Sequence, residues 1–251
     1  MGSSSISIKS KWMKTKWLLK SAKLRKYVPE TAPYSYDQLR AMTERYPSVF
    51  FKPTGGTGGS HIVRIQKRSE GYRYQKDAKK QVYPSIDALH DKLKSLSSSR
   101  PYLLQRGIQL EKIGKRKFDI RVMVQKGSDG KWVSTGIFMK IGRSRRVATN
   151  YHQGGKIGMF RTTMRGAGYS EASTLSLEKE LKQLGLSVGK HFDRQLGGFR
   201  ELGLDVALDQ KGRLWILEVN TRPNFYPLKD LKDKSMYRRI AKYARKYGRK
   251  G

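Results

Sequence analysis

Three oxygen-bearing side chains near the far end of the chain have the types and spacing to hold a cation. Residues 203–225 read GLDVALDQKGRLWILEVNTRPNF, with Asp205, Glu218 and Asn220 as the candidates. Two strand-like runs flank a Gln210-Lys211-Gly212 turn. Side chains alternate faces along a strand, so Glu218 and Asn220 point the same way. A hairpin folding at the turn returns Asp205 beside them. Two carboxylates and an amide oxygen on one face suit a hard, oxygen-seeking cation. Such a cation is most useful when it also holds a nucleotide's phosphates. The competing reading is a hairpin with its acids facing solvent. The apolar run 214–217 directly before Glu218 weighs against it, since the strand end there dips toward the interior.

A second feature fits the same chemistry. Thr54-Gly55-Gly56-Thr57-Gly58-Gly59-Ser60 follows Lys52-Pro53 and precedes a strand over 61–66. Closely spaced glycines let backbone amides approach an oxyanion and adopt positive φ. The order rules out a Walker loop, because the lysine precedes the glycines, and a dinucleotide turn, because no helix follows. A phosphate flap and a flexible hairpin loop both remain, and Lys52 at the launching strand end favours the flap.

The positioning elements follow from periodicity. Ile8, Trp12, Thr15 and Leu19 predict a basic amphipathic helix over 9–24, either a phosphate-contacting arm or a packed surface helix. Ser35 caps a helix over 36–46, and Ser85 caps another with Ile86, Leu89, Leu93 and Leu96 on its apolar face. Residues 102–110 read as an apolar strand. Gly107 within it marks a bulge or the close approach of something flat. Residues 118–125 (FDIRVMVQ) alternate as a strand with Asp119 and Arg121 on one face, and 132–141, carrying Lys140, form its hairpin partner. Residues 147–151 lead to His152, a lone histidine with no second one nearby to make a metal pair. A helix over 174–191 has the core stripe Leu177, Leu181, Leu184 and Val188. The tail 235–251 places Met236, Ile240, Tyr243 and Tyr247 on one stripe and Arg and Lys on the other. It reads equally as a docked helix and as a binder of nucleic acid or an anionic surface.

Composition bounds the rest. With 251 residues and 37% hydrophobic content the chain can bury one or two cores. It has no cysteine, which excludes disulfides, thiolate metal sites and thiol nucleophiles. Lys and Arg number 54 against 20 Asp and Glu, a net +34, so polyanions are attracted. No leader peptide or membrane span is read, and the expected location is cytoplasmic.

Lys-Pro before a glycine-rich flap, a hinge strand, an Asp-x-Arg strand and Asp…Glu-x-Asn, in this order, together resemble the ATP-grasp superfamily. The basic N-terminal helix followed by Pro-Glu-Thr, and the closing Glu-Val-Asn-Thr-Arg-Pro, resemble its endospore coat-associated YheC/YheD branch. The resemblance covers residues 9–228. It implies an α+β fold of two lobes, with ATP between two antiparallel sheets, and an association with spores. The implied division is a basic helical segment 1–46, a flap-bearing small lobe 47–110, a magnesium and ATP lobe 111–228, and a basic helix 229–251. With fewer than sixty residues before the flap, the expected form is a short one that lacks the N-terminal domain of many relatives. The resemblance assigns Asp205, Glu218 and Asn220 to magnesium and Lys52 to an ATP phosphate. Residues 55–60 (Gly55, Gly56, Thr57, Gly58, Gly59, Ser60) become the mobile cover, and Gln105, Arg106 and Ile108 the adenine lining. Lys11 matches the family's earlier lysine, although Ser10 precedes it where Asp is common, and Lys16 is the second choice. Arg121 would steady the transferred phosphoryl group. Lys140 and Asn150 match polar positions facing phosphates or acceptor. Arg222 would clamp an acidic substrate or pair with a nearby acid.

The implied chemistry is ligation: ATP phosphorylates a carboxylate, and an amine displaces the phosphate to form an amide. An acidic peptide or polymer is the expected acceptor. Two alternatives stand beside it, a basic ATP-binding spore protein that contacts nucleic acid or another polyanion without catalysis, and an ATP-grasp kinase.

Overall fold

The chain is described by a computed structural model over residues 4–56, 61–142 and 154–249. It enters through helix α1 (Lys11–Lys20), whose first turn is capped by Ser10 Oγ accepting from the Met13 amide at 3.2 Å. The apolar spacing predicts a helix over 9–24 buried along Trp12, Thr15 and Leu19. The helix is shorter, and its buried stripe is Lys11, Lys14 and Leu18, while Leu19 is exposed. The cause is tertiary. This face looks across at carboxylates, so lysine there has partners, and Leu18, with the neighbouring Trp17, joins the apolar core at its far end.

The smaller lobe is a six-stranded antiparallel sheet. Its strands are β1 (Thr31–Pro33), β2 (Val49–Pro53), β3 (Val63–Arg68), β4 (Gly71–Lys76), β5 (Lys79–Tyr83) and β6 (Tyr102–Arg106), in the order β1-β6-β2-β3-β4-β5. Helices α2 (Tyr36–Arg45) and α3 (Ile86–Ser97) bury Leu39, Met42, Leu89 and Leu93 against its Val49, Phe51 and Ile65. The strand expected over 102–110 ends at Arg106. At Gly107 the close neighbour is Ser48, whose carbonyl accepts the Gly107 amide at 2.8 Å, and a Cβ there would lie 2.8 Å from that oxygen. The glycine thus admits another backbone, not a flat ligand.

The larger lobe contains β7 (Lys112–Ile113), β8 (Arg116–Lys126), β9 (Trp132–Ile141), β10 (Lys156–Met159), α4 (Phe160–Gly166), α5 (Glu171–Gln195), β11 (Glu201–Leu208) and β12 (Leu214–Asn220). Its sheet order is β10-β9-β8-β11-β12, with β7 beside β8. The even-numbered Phe118, Ile120, Val122 and Val124 of β8 face α5 and its Leu181, Leu184 and Val188. Odd-numbered positions face the other way, which is the side of the polar cluster described below. The hairpin turn is closed by Asp209, which accepts the Lys211 and Arg213 amides at 2.9 Å each, and Gly212 takes φ +75°.

The tail helix α6 (Ser235–Arg245) is docked. Ile240, Ala241, Ala244 and Tyr247 pack on Met123, Phe138, Phe225 and Leu228. Beneath it, Tyr247 donates to the buried Glu201 at 2.9 Å and accepts from Gln125 at 2.7 Å, and Arg249 also pairs with Glu201. Its outer face keeps Arg238, Arg239, Lys242 and Arg245 exposed. Among the described residues no helix is long and apolar enough to cross a membrane.

Candidate functional site

Strand register builds one half of the site. Asp205 lies opposite Arg121 of β8 on one side and Glu218 of β12 on the other, and Asp119 lies opposite Lys140 across β8 and β9. A register shift between Asp205 and Val206 leaves Leu217 of β12 as the extra residue just before Glu218. Arg121 Nε donates to Asp205 Oδ1 at 2.7 Å, and Lys140 Nζ sits 2.9 Å from both Asp205 Oδ1 and Asp119 Oδ1. All four side chains are buried or nearly so. Burial alone would raise the Asp205 pKa, but Arg121 and Lys140 more than offset it and hold the carboxyl well below its usual range. The same carboxylates outweigh burial for Lys140 and Arg121 and keep both firmly protonated. Two cations are thereby fixed in place on a strand scaffold.

The donor set beside them fits magnesium. Asn220 Nδ2 donates to Asp205 Oδ2 at 3.2 Å and to the Gly203 carbonyl at 3.4 Å, which leaves its amide oxygen directed elsewhere. Glu218 is partly exposed, and its ion-pair contact is Lys11 at 3.6 Å. Among the described residues no three acidic or histidine side chains form a closed metal cage. Magnesium is ordinarily held by one or two carboxylates together with substrate phosphates. Glu218 and Asn220, with the second oxygen of Asp205, form an open set of that kind.

The other half is cationic. Lys52 Nζ, at the end of β2, donates to Gln105 Oε1 at 2.8 Å and across the lobes to the Leu217 carbonyl at 3.3 Å. Gln105 is oriented in turn by donating to Thr31 Oγ1 at 2.9 Å. Burial pushes the Lys52 ammonium down to about 8, against the attraction of Glu218. Lys11 Nζ donates to the Gly56 carbonyl at 2.7 Å and the Gly55 carbonyl at 3.4 Å, and the Lys11 amide bonds the Thr54 carbonyl at 2.7 Å. Lys14, which pattern reasoning passed over, belongs to the same group. It is 4% exposed, and burial, together with the neighbouring Lys11, lowers its pKa while Glu218 and Asp205 oppose the shift. Its signal was the three-residue spacing from Lys11, which places both on one helix face.

Other candidates sit further out. Arg106 is held between the rings of Tyr46 and Trp215, at 5.1 and 5.0 Å from their centroids, and Ile108 is half-buried just beyond it. Lys16 points to solvent over the Trp12 ring and does not join the cluster. Arg222 is exposed, next to buried Thr221 and Pro223. Gly56 has φ +89°. Thr57, Gly58, Gly59, Ser60, Asn150 and His152 lie outside the described residues.

Two antiparallel sheets facing one another across this cluster define an ATP-grasp architecture. The chain belongs to the YheC/D-like ATP-grasp family, whose family model matches residues 5–250. Among curated proteins it is 26% identical over 211 residues to the endospore coat-associated protein YheD of Bacillus subtilis strain 168, covering 78% of this chain and 45% of that one. It is 24% identical over 218 residues to YheC of the same organism, covering 85% and 59%. The chain thus spans about half the length of the curated relatives it matches. The fold is shared with N5-carboxyaminoimidazole ribonucleotide synthetase in its ADP complex (TM-score 0.54, 15% identity, 93% of this chain and 51% of that one). It is also shared with the ATP-grasp ligase PsnB complexed with a minimal precursor (TM-score 0.52, 15% identity, 88% and 55%).

Proposed function

We propose that this chain is an ATP-dependent, magnesium-requiring carboxylate–amine ligase that works through an acyl phosphate on an acidic peptide or polymer. The observation that carries the reading is the meeting of two cation groups, Lys11–Lys14–Lys52 and Arg121–Lys140, around the Glu218 and Asp205 carboxylates at the seam of the sheets. Bringing a triphosphate against a carboxylate crowds negative charge, and fixed cations in a sheltered cleft offset it. Lys11, Lys14 and Lys52 would bind the phosphates. Gln105, Arg106 and Ile108 would flank the base, and residues 55–60 would cover the chain of phosphates. Asp205, Glu218 and Asn220 would hold magnesium, which when bound neutralises charge between the phosphate oxygens. Arg121 and Lys140, held by Asp205 and Asp119, would face the transferred phosphoryl group, while Asn150 and the exposed Arg222 would contact the acceptor.

In this reading an acceptor carboxylate oxygen attacks the terminal phosphorus and ADP leaves. The amine nitrogen then attacks the acyl carbon and inorganic phosphate leaves. Residues 1–46 and 47–110 contribute the cations and cover, residues 111–228 the metal side, and residues 229–251 a basic outer helix. A cytoplasmic, spore-associated setting follows from the same reading.

The test is ADP release on incubation with ATP, magnesium, an oligoglutamate peptide and an amine. Release should require both acid and metal, and Glu218→Gln should cut it by about a hundredfold or more, as loss of a metal ligand does. Release that is indifferent to Glu218→Gln would overturn the reading, and a phosphorylated product formed without amine would make the protein a kinase.

A further inference from the structure

Strand β9 runs over ten residues, but β10 pairs only with Phe138–Ile141 of it. After Met159 the chain turns into α4 and leaves the sheet. The outer edge of β9 over residues 132–137 therefore has no strand neighbour among the described residues. An open edge offers a row of backbone donors and acceptors to any extended chain, and proteins usually blunt or cover it. Here residues 134–137, where a register shift against β8 leaves Thr135 as an extra residue, form the floor of a groove of about 590 Å³ between α4, α5 and the start of α6. Ser134 Oγ, on that floor, is buried with no hydrogen-bond partner.

The walls are charged. Arg161 and Arg165 come from α4, Lys182 and Glu178 from α5, and Arg239 and Asp233 from α6 and the turn before it. Glu178 is taken up by Arg161 Nε at 2.7 Å and Lys182 Nζ at 2.5 Å, which hold it below its usual range despite burial. Asp233 accepts the Ser235 amide at 2.8 Å. Arg239 has no ion-pair partner among the described residues, and Arg165 has only Glu171 at 4.0 Å. The groove's unused charge is therefore positive. Its floor lies on the strand that carries Lys140, about 10 Å further along by the rise of a strand.

We propose that this groove is an exosite that docks an extended acidic segment of the acceptor polypeptide. The segment adds as a further strand to the free edge of β9, with its carboxylates on Arg165 and Arg239. This deepens the ligase reading and rests on it for the identity of the acceptor. A nucleic acid fits less well. The groove has two carboxylates in its walls, its one aromatic side chain, Phe160, is buried, and a strand edge matches a polypeptide backbone rather than a sugar-phosphate chain.

The experiment is fluorescence anisotropy on the intact protein without ATP, with a labelled alternating glutamate–valine decapeptide as probe. The double reversal Arg165→Glu/Arg239→Glu should weaken binding about tenfold or more, while Lys79→Glu/Lys80→Glu, exposed on the edge strand of the other sheet, should change it little. N-methylating alternate backbone amides of the probe should abolish binding at unchanged charge. Retained affinity of the N-methylated probe, equal losses in the two double variants, or displacement from the groove by single-stranded DNA more readily than by unlabelled peptide would each overturn the proposal. Retained affinity for a nonhydrolysable ATP analogue shows that the groove variant is folded. Because the probe is read without turnover, failure here is distinct from failure of ADP release.

Discussion

Lys52 lies buried at the seam with two hydrogen bonds and carries a charge that the folded protein disfavours. Its pKa falls from 10.5 to about 8, chiefly through burial. At about 1.4 kcal/mol for each factor of ten, that displacement corresponds to a cost of about 3 kcal/mol for keeping the ammonium charged at pH 7. Because the folded value lies below the unfolded one, the cost is complete below about pH 8 and fades as pH rises through 10.5. Linkage gives about 2 kcal/mol at pH 9 and about 1 kcal/mol at pH 10. Lys52→Met removes this cost but leaves Gln105 Oε1 and the Leu217 carbonyl without their donor, a loss of about 1–3 kcal/mol. The two effects nearly cancel at pH 7, so the variant should lie within about 2 kcal/mol of the parent there and fall by about 1 kcal/mol relative to it at pH 9. It should also lose most of its affinity for an ATP analogue. Urea unfolding at the two pH values, with calorimetric titration of the analogue, measures both effects. A stability difference that does not move against the variant by about 1 kcal/mol between pH 7 and pH 9 would refute the claim that burial penalises this charge.

Three further outcomes follow from the same geometry. Asp205→Asn strips Arg121 and Lys140 of their shared carboxylate and should cost about 3–5 kcal/mol in urea unfolding at pH 7. Since the folded Asp205 pKa is depressed, its contribution is present above the unfolded value and fades as pH falls through the folded one, so the gap should shrink in acid. Gly107→Ala drives a Cβ to 2.8 Å from the Ser48 carbonyl and 2.1 Å from its Oγ, and a loss of about 1–3 kcal/mol should appear as a lowered Tm. Tyr247→Phe leaves buried Glu201 and Gln125 each one partner short, and denaturation should show a loss of about 1–3 kcal/mol with analogue affinity unchanged.

The strand-borne part of the cluster was legible in advance. Period-two alternation put Asp119 with Arg121 and Glu218 with Asn220, and the Gln210–Gly212 turn set the pairing that brings Asp205 to Glu218, so that both pairs share one face of the sheet. The family motif order supplied Lys52 and the two-sheet fold. Helix α1 misled because periodicity ranks side chains by hydrophobicity, whereas its inner face is selected by carboxylates from residues two hundred positions away, which is why Lys14 went unread. Strands β1, β5 and β10 are too short or too polar to carry a pattern. The stacking of Arg106 between Tyr46 and Trp215 joins three distant segments, and no local spacing encodes it.

The contact of Lys11 with the stem of the glycine run has a mechanical consequence. Its ammonium is already spent on the Gly55 and Gly56 carbonyls, while its own amide fastens Thr54. An incoming anion that draws this ammonium toward itself competes with the peptide oxygens for it and so weakens one of two ties at the root of the loop. The second tie, through the main chain, keeps that root in place. In the proposed reading, anion binding and the release of the first tie are a single exchange of partners at one nitrogen.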